Sequence, residues 1–411
     1  MESSLRMTGE QLLGDGKNYL EKVLQEGARR LLQQAIGQEV DEYIGTHAYE
    51  KDEHGHRMVV RNGSLPEREL LTGIGPVAVK QPRVLDRREG HEFNSRILPK
   101  YMRRVPSVDA LIPALYLRGI STGDFTDALE SILGPQAGGL SATNIVRLKE
   151  GWQEEYREWA QRDLSLKHYV YVWVDGIYFN VRLSSDRPCI LVVMGATATG
   201  NKELIAVHDG ERESELSWSE VLNDLKRRGL KRAPKLAVGD GALGFWAALE
   251  KIWPSTRQQR CWVHKTANVL DKLPKSVQPS AKTLIHDMYL APTEKDAKKA
   301  FAQFQTLYEA KYPKAWECLR KDEDQLFTFY AFPAEHWRHL RTTNPIESTF
   351  ATVRHRTRKT KGCGSRATTL AMVFKLALEA EKHWRRLNGC ELILEVLRGT
   401  TFIDGEMEKA A

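Results

Sequence analysis

The sequence is poor in cysteine and has no long apolar run. Its five cysteines are odd in number, scattered, and without a Cys-x-x-Cys pair, which argues against a disulfide framework and a zinc ribbon. No stretch of eighteen apolar residues occurs, so nothing reads as a transmembrane helix. The start, Met1-Glu2-Ser3-Ser4, lacks the pattern of a secretory signal. The expected location is therefore the cytoplasm, with no membrane partner. At 411 residues there is room for two or three domains. A net charge of +7 is a moderate pull toward nucleic acid, and its distribution says more than its sum.

Three carboxylates stand at apolar edges where packing alone has no need of them. Asp175 ends the run Tyr169-Val170-Tyr171-Val172-Trp173-Val174, which reads as a buried strand. Asp240 ends a second run, Leu236-Ala237-Val238-Gly239, before a helix-like stretch from Leu243 to Trp253. Glu347 lies in Thr343-Asn344-Pro345-Ile346-Glu347-Ser348, where Asn344 reads as an N-cap and Pro345 fits the first helical turn. Two strand-end aspartates and a helix-borne glutamate suit a site for two divalent cations in phosphodiester chemistry, because hard cations want oxygen ligands. Structural readings stay open: Asp240 before Gly241 also fits a turn cap, and Glu347 also fits a capping box with Asn344.

Around these residues the pattern is α/β. Strand-like runs at Tyr169–Val174, Tyr178–Leu183, Cys189–Ala196 and Glu203–Val207 suggest an antiparallel meander, followed by a short strand at Leu236–Gly239. Roughly a hundred residues separate Asp240 from Glu347, too many for one loop. Much of that segment has helical periodicity, as in Glu294 to Tyr312 with Ala297, Phe301, Phe304, Leu307 and Tyr308. It reads as an inserted helical subdomain.

The densest basic stretch follows Glu347: Arg354, Arg356, Arg358, Lys359, Lys361 and Arg366, around the turn Gly362-Cys363-Gly364. Charge runs are commonly solvated helix faces. Its position beside the acidic residues and its few acidic partners favour contact with DNA phosphates. Upstream, three short helices are expected. Ser107–Tyr116 carries Val108, Leu111, Ile112 and Leu115; a second begins at Ser121-Thr122 and carries Phe125, Ala128, Leu129 and Ile132. A third, capped by Ser141, carries Ile145, Leu148, Trp152, Tyr156 and Trp159. They fit a helix-turn-helix with Asn144, Arg147 and Lys149 near the start of the reading helix, or equally a helical spacer packed on the core. Leu20 to Ile44 forms an amphipathic helix with Leu20, Val23, Leu24, Leu31, Leu32, Ala35, Ile36, Val40 and Tyr43 as its stripe. Arg68–Gly73 and Val77–Pro82 read as a hairpin flanked by Arg61, Arg83, Arg87 and Arg88. Cys261 and His264 form half of a metal-ligand spacing, and the sequence supplies no other half.

Several runs, in order, resemble bacterial insertion-sequence transposases of the Mutator type. They are Leu115-Tyr116-Leu117-Arg118-Gly119-Ile120-Ser121, Asp209-Gly210 through Glu213-Ser214 to Trp218, and Arg260-Cys261-Trp262-Val263-His264. Asn344-Pro345-Ile346-Glu347-Ser348 and Trp384-Arg385-Arg386-Leu387-Asn388-Gly389 complete the set. The resemblance covers the chain from about Arg61 onward. It implies an RNase H-like core, a mixed sheet flanked by helices, with a helical insertion before the glutamate and a DDE triad of Asp175, Asp240 and Glu347. That triad would hold two Mg2+ ions, with Mn2+ able to substitute. Cys261 and His264 match a Cys/Asp-x-x-His signature and are expected to support the site.

The implied activity is metal-dependent cleavage and strand transfer on double-stranded DNA. The partners would be the element's terminal inverted repeats and target DNA, with a homodimer aligning two ends and association with the bacterial nucleoid during the reaction. The expected domains are a helical dimerisation region at 1–60, a DNA-binding region at 61–163, a first part of the core at 164–264, a helical insertion at 265–335 and a second part at 336–411. Two other activities stay open: an RNase H-like nuclease or resolvase that cuts without joining, and a domesticated DNA-binding protein without catalysis.

Overall fold

Buried strands rich in Val, Ile, Tyr and Trp decide the architecture of the larger half. The computed structural model describes residues 16–118, 120, 124–133, 142–179, 189–241, 243–359 and 365–408. These form two compact units, residues 1–146 and 147–411.

In the first unit, α1 (Gly16–Thr46) precedes four strands. They are β1 (Val59–Ser64), β2 (Arg68–Thr72), β3 (Gly75–Val79) and β4 (Pro82–Asp86). β2 pairs with β3 and β1 with β4, both antiparallel, so the expected hairpin is the inner part of a longer two-stranded arm. Gly75 makes the tight turn at φ +97°, where a Cβ would also meet the Gln25 amide. Ile36 of α1 packs with Leu70, Val77, Val79 and Leu98, and Tyr43 donates to Asp86 at 2.7 Å. The amphipathic stripe is thus used in its second half, whereas Leu20, Val23, Leu24 and Leu31 are exposed. The helix and the arm share one core, across the boundary expected at residue 60. α2 (Pro106–Leu117) starts on proline and buries Val108, Ile112 and Tyr116. α3 (Phe125–Leu133) buries Phe125, Leu129 and Leu133 and leaves Ile132 exposed. The expected helix starts at Ser121-Thr122 and Ser141 lie outside the described residues.

α4 (Ala142–Ala160) runs into the second unit. Its apolar stripe packs there: Tyr156 donates to the Val207 carbonyl at 2.8 Å, and the Trp159 and Phe374 rings lie 4.9 Å apart. This matches the helical spacer more closely than a free-standing three-helix core.

The second unit holds a five-stranded sheet in the order β7-β6-β5-β8-β9. β5 (Tyr169–Tyr178), β6 (Cys189–Thr197) and β7 (Lys202–Gly210) form the expected antiparallel meander. β8 (Leu236–Gly239) and β9 (Arg257–Arg260) add in parallel on the other side of β5. β5 continues through Asp175 to Tyr178, because β6 pairs with it along that whole length. Asp175 therefore lies inside a strand rather than at its end. The end of the expected strand Tyr178–Leu183 lies outside the described residues.

One face of the sheet is covered by α5 (Glu215–Arg227) and α6 (Leu243–Ile252), whose Trp218, Leu222, Phe245 and Leu249 join Val172, Val174, Leu191 and Val193. Each such side chain contributes roughly 1.5–3 kcal/mol by leaving water. Tyr171 and Trp173 point to the other face, where Tyr171 bonds His336 at 2.8 Å and Trp173 donates to the His339 carbonyl at 2.9 Å.

The helical insertion begins with α7 (Trp262–Leu270), α8 (Gln278–Leu290) and α9 (Glu294–Tyr308). α10 (Pro313–Arg320), α11 (Glu323–Leu326) and α12 (Trp337–Leu340) continue it. α9 buries Ala297, Phe301, Phe304 and Tyr308, while Leu307 faces out. The chain then returns to the sheet as α13 (Asn344–Lys359) and α14 (Arg366–Glu381), which pack against β5 and β7 respectively.

Candidate active site

Parallel pairing of β5 with β8 brings the two aspartates together. The register Trp173↔Val238 is the last pair between these strands. Asp175 and Asp240 each follow two residues after that pair, Asp175 still within β5 and Asp240 one residue past the end of β8, and the charge of Asp240 acts on the Asp175 carboxyl. Neighbouring strands run about 4.8 Å apart. β8 ends at Gly239 while β5 continues to Tyr178, so the aspartates lie at the carboxyl end of the parallel pair, where α/β sheets commonly bind ligands. Gly239 is closely packed: a Cβ would lie 3.0 Å from Val174 and 3.1 Å from Trp246, so these side chains would have to give way. Trp246 also donates to the Asp240 carbonyl at 2.8 Å, fixing the backbone there.

Glu347 enters from the first turn of α13, a favourable place for a negative charge. The cap is Thr343 rather than Asn344: the amides of Ile346 and Glu347 donate to the Thr343 carbonyl at 2.9 and 3.0 Å. The Thr343 hydroxyl, fully buried, donates to Glu347 Oε1 at 2.8 Å. The same hydroxyl lies 3.4 Å from His264 Nδ1 and 3.3 Å from Cys261 Sγ. His264 Nδ1 stands 3.8 Å from Glu347 Oε1.

The Cys261–His264 turn is held from several sides. Arg260 lies 4.1 Å over the Trp246 ring and pairs with buried Asp322, which also holds Lys265. The Cys261 amide donates to the Gly239 carbonyl at 2.7 Å, and the Trp262 amide to Arg341 at 2.9 Å. Pairing of β9 beside β8 thus carries Cys261 and His264 to the aspartates.

A fourth carboxylate, Glu213, adjoins the site, and sequence reasoning assigns it no chemical role. It precedes Ser214, the N-cap of α5, and its side chain lies over Gly176, where a Cβ would come within 2.5 Å of its oxygen. Thr343 is a second residue that sequence reasoning misses. Its signal is a threonine four residues before the glutamate, one position ahead of the expected cap.

Crowded acids in a dry site resist ionisation. Burial, with Asp240 and Glu347 adding their charge, pushes the Asp175 carboxyl up to about 7, although His264 and the Gly176 amide oppose it. Burial and the charges of Asp240 and Asp175 push Glu213 up to about 7. His264 rises to about 9, first through its hydrogen bond with Cys261 and then through the charges of Cys261, Asp175 and Glu347, against burial. A protonated His264 is the counter-charge within this acidic cluster. The oxygen-rich donor set and its excess negative charge fit divalent cations.

The basic residues are placed unevenly. Arg354 is exposed, 5.9 Å over the Phe350 ring. Arg366 pairs through Nε with Asp209 at 2.5 Å. The side chains of Arg356, Arg358, Lys359 and Asn144, and all of Lys361 with the Gly362-Cys363-Gly364 turn, lie outside the described residues. Arg147 is exposed and Lys149 half-exposed on α4. No helix among the described residues is long and apolar enough to cross a membrane.

Comparison with known proteins gives the family. The model of the Mutator family of transposases matches residues 6–387. The transposase for insertion sequence element IS6120 of Mycolicibacterium smegmatis is 53% identical over 297 residues, 72% of this chain and 91% of that protein. The transposase for IST2 of Acidithiobacillus ferrooxidans is 50% identical over 279 residues, 68% of this chain and 94% of its own. A more distant relative, the transposase for ISRM5 of Rhizobium meliloti, is 27% identical over 367 residues, 89% of each chain. The chain belongs to the Mutator family of transposases, enzymes that in general cut and join DNA with divalent metal ions.

Proposed function

We propose that this protein is a DDE transposase with an RNase H-like core, in which Asp175, Asp240 and Glu347 hold two Mg2+ ions and carry out strand cleavage and strand transfer at the terminal inverted repeats of its element. The observation that supports this reading is the electrostatic coupling of Asp175 with Asp240, just past the end of the adjacent parallel strand, and with Glu347 of α13, which packs on β5. When bound, Mg2+, or Mn2+ in its place, supplies Lewis acidity at the scissile phosphate.

The chain's own residues do the positioning. Asp175 is fixed by the Gly176 amide, which donates to Oδ1 at 2.8 Å. Glu347 is aimed by the Thr343 hydroxyl, while Cys261 and His264 support the site, with His264 balancing its charge. Helical period sets positions 354 and 358 on the same side of α13 as Glu347, so the basic run would hold the DNA backbone near the carboxylates. Base readout falls to the hairpin arm and the helices with Asn144, Arg147 and Lys149, and a homodimer would align two element ends.

The test uses Asp175→Asn, Asp240→Asn and Glu347→Gln in the full chain. Each should lose cleavage and joining of element-end DNA yet still shift that DNA in a gel, because an amide keeps the shape and removes the charge the cations need. Cleavage without joining by the wild type would favour a nuclease or resolvase instead.

A further inference from the structure

Cys261, His264 and Glu347 present a donor set that a site for hard cations does not call for. Each turns one ligand atom into the same small space, and the three atoms lie within 4.8 Å of one another. Around a tetrahedral zinc, with Zn–N and Zn–O near 2.0–2.2 Å and Zn–S near 2.3 Å, donors stand roughly 3.3–3.8 Å apart. His264 Nδ1 and Glu347 Oε1 are already at 3.8 Å, so closing the set needs a movement of at most about 1–1.5 Å.

Local structure explains the convergence. Cys261 is the N-cap of α7 but makes no side-chain cap; its sulfur instead accepts from the Thr343 amide at 3.3 Å. His264 follows three residues later in the first turn of the same helix, which puts both donors on one side of that turn. Glu347 completes the set from α13. Cys261 is buried, whereas the side chains of His264 and Glu347 are 34% and 26% exposed, which leaves a route for a hydrated cation and a fourth position for water.

Mg2+ prefers oxygen ligands and gains little from thiolate or imidazole, whereas Zn2+ binds both well. Resting on the reading of Glu347 as a metal-holding carboxylate, we propose that Cys261, His264 and Glu347 form a second metal site for a thiophilic divalent cation of the Zn2+ type, whose occupation withdraws Glu347 from the aspartates and stops the DNA reaction. Binding replaces the protons held by the Cys261 sulfur and the His264 ring nitrogen with the cation, releases them to solvent, and involves no change of oxidation state.

The full chain, free of Mg2+ and DNA, is titrated with Co2+, which reports thiolate ligation as a near-ultraviolet charge-transfer band. The expected result is a band saturating at one Co2+ per chain, displaced by Zn2+ and absent from Cys261→Ser. In Glu347→Gln the thiolate remains, and the midpoint should move about tenfold or more to higher Co2+, as expected for a disturbed metal shell. A wild type without the band, or a band that persists in Cys261→Ser, overturns the site. If Cys261→Ser fails to fold, His264→Asn replaces it, with loss or at least tenfold weakening of the band expected and an unchanged titration overturning the site.

A second arm adds Zn2+ at fixed Mg2+ to the cleavage reaction. Inhibition over the range that displaces cobalt is expected, and full cleavage at saturating Zn2+ overturns the inhibitory role. A wild type that never cleaves with Mg2+ defeats the transposase reading instead, and the cobalt titration then still decides whether the metal site exists.

Discussion

Replacing Asp175 with asparagine should stabilise the metal-free protein while abolishing its reaction. Asp175 is 7% exposed, and burial first, with Asp240 and Glu347 adding to it, lifts its carboxyl from 3.8 to about 7. Each tenfold change in proton affinity corresponds to about 1.36 kcal/mol, so keeping this group ionised in the folded chain costs about 4 kcal/mol above pH 7. Because the folded-state value is the raised one, the native chain keeps a proton that the unfolded chain has lost between pH 3.8 and 7. Stability therefore falls as pH climbs through that window and levels off above it. Asparagine carries no charge, and its carbonyl oxygen can still accept the Gly176 amide.

Some of the strain is shared with Glu213, which eases once its neighbour is neutral, so the net gain should be about 2–4 kcal/mol at pH 8 and close to nil at pH 4. Urea unfolding in the presence of a chelator measures it at both pH values. Added Mg2+ should raise the wild-type midpoint more than that of the variant, by binding the folded state. A variant no more stable than wild type at pH 8 in chelator would refute the reasoning.

Thr343→Val removes the hydroxyl that aims Glu347; a hydrogen bond to a charged acceptor is worth about 1.5–3 kcal/mol, so cleavage should fall about ten- to hundredfold with unchanged gel shifts. Gly244→Ala puts a Cβ 2.5 Å from the Glu213 carbonyl oxygen, and this backbone atom cannot swing away; the urea midpoint should drop by the equivalent of about 1–3 kcal/mol. Gly176→Ala meets the mobile end of Glu213 instead, and its midpoint should drop less. Neutralising Arg356, Arg358 and Lys359 together should weaken binding to element ends and unrelated duplex alike. The dependence of log affinity on log salt should flatten by about 0.9 for each phosphate no longer neutralised, whereas a change confined to sequence preference would show that the segment reads bases.

Hydrophobic runs were readable where burial on both faces left a continuous apolar signal, as in Tyr169–Val174 and Leu236–Gly239. Strand limits were less so. A charged residue after an apolar run reads as a stop, yet β6 keeps pairing past Asp175 to Tyr178. β9, Arg-Gln-Gln-Arg, has no alternation at all and exists because β8 offers it an edge. The stripe of α4 was visible by period, but a period shows that a face is buried, not against what. The acidic residues stood out in sequence because charge at an apolar edge is costly; the link among Thr343, His264 and Glu347 joins residues roughly 80 positions apart and emerges only from tertiary packing.

The insertion between β9 and α13 also sets a schedule. A ribosome adds residues at about 5–20 per second, so roughly 5–20 s pass between the emergence of Asp240 and that of Glu347. Through that interval the nascent chain carries both aspartates without the glutamate. A product that stops anywhere inside the insertion holds a complete first unit and two of the three carboxylates.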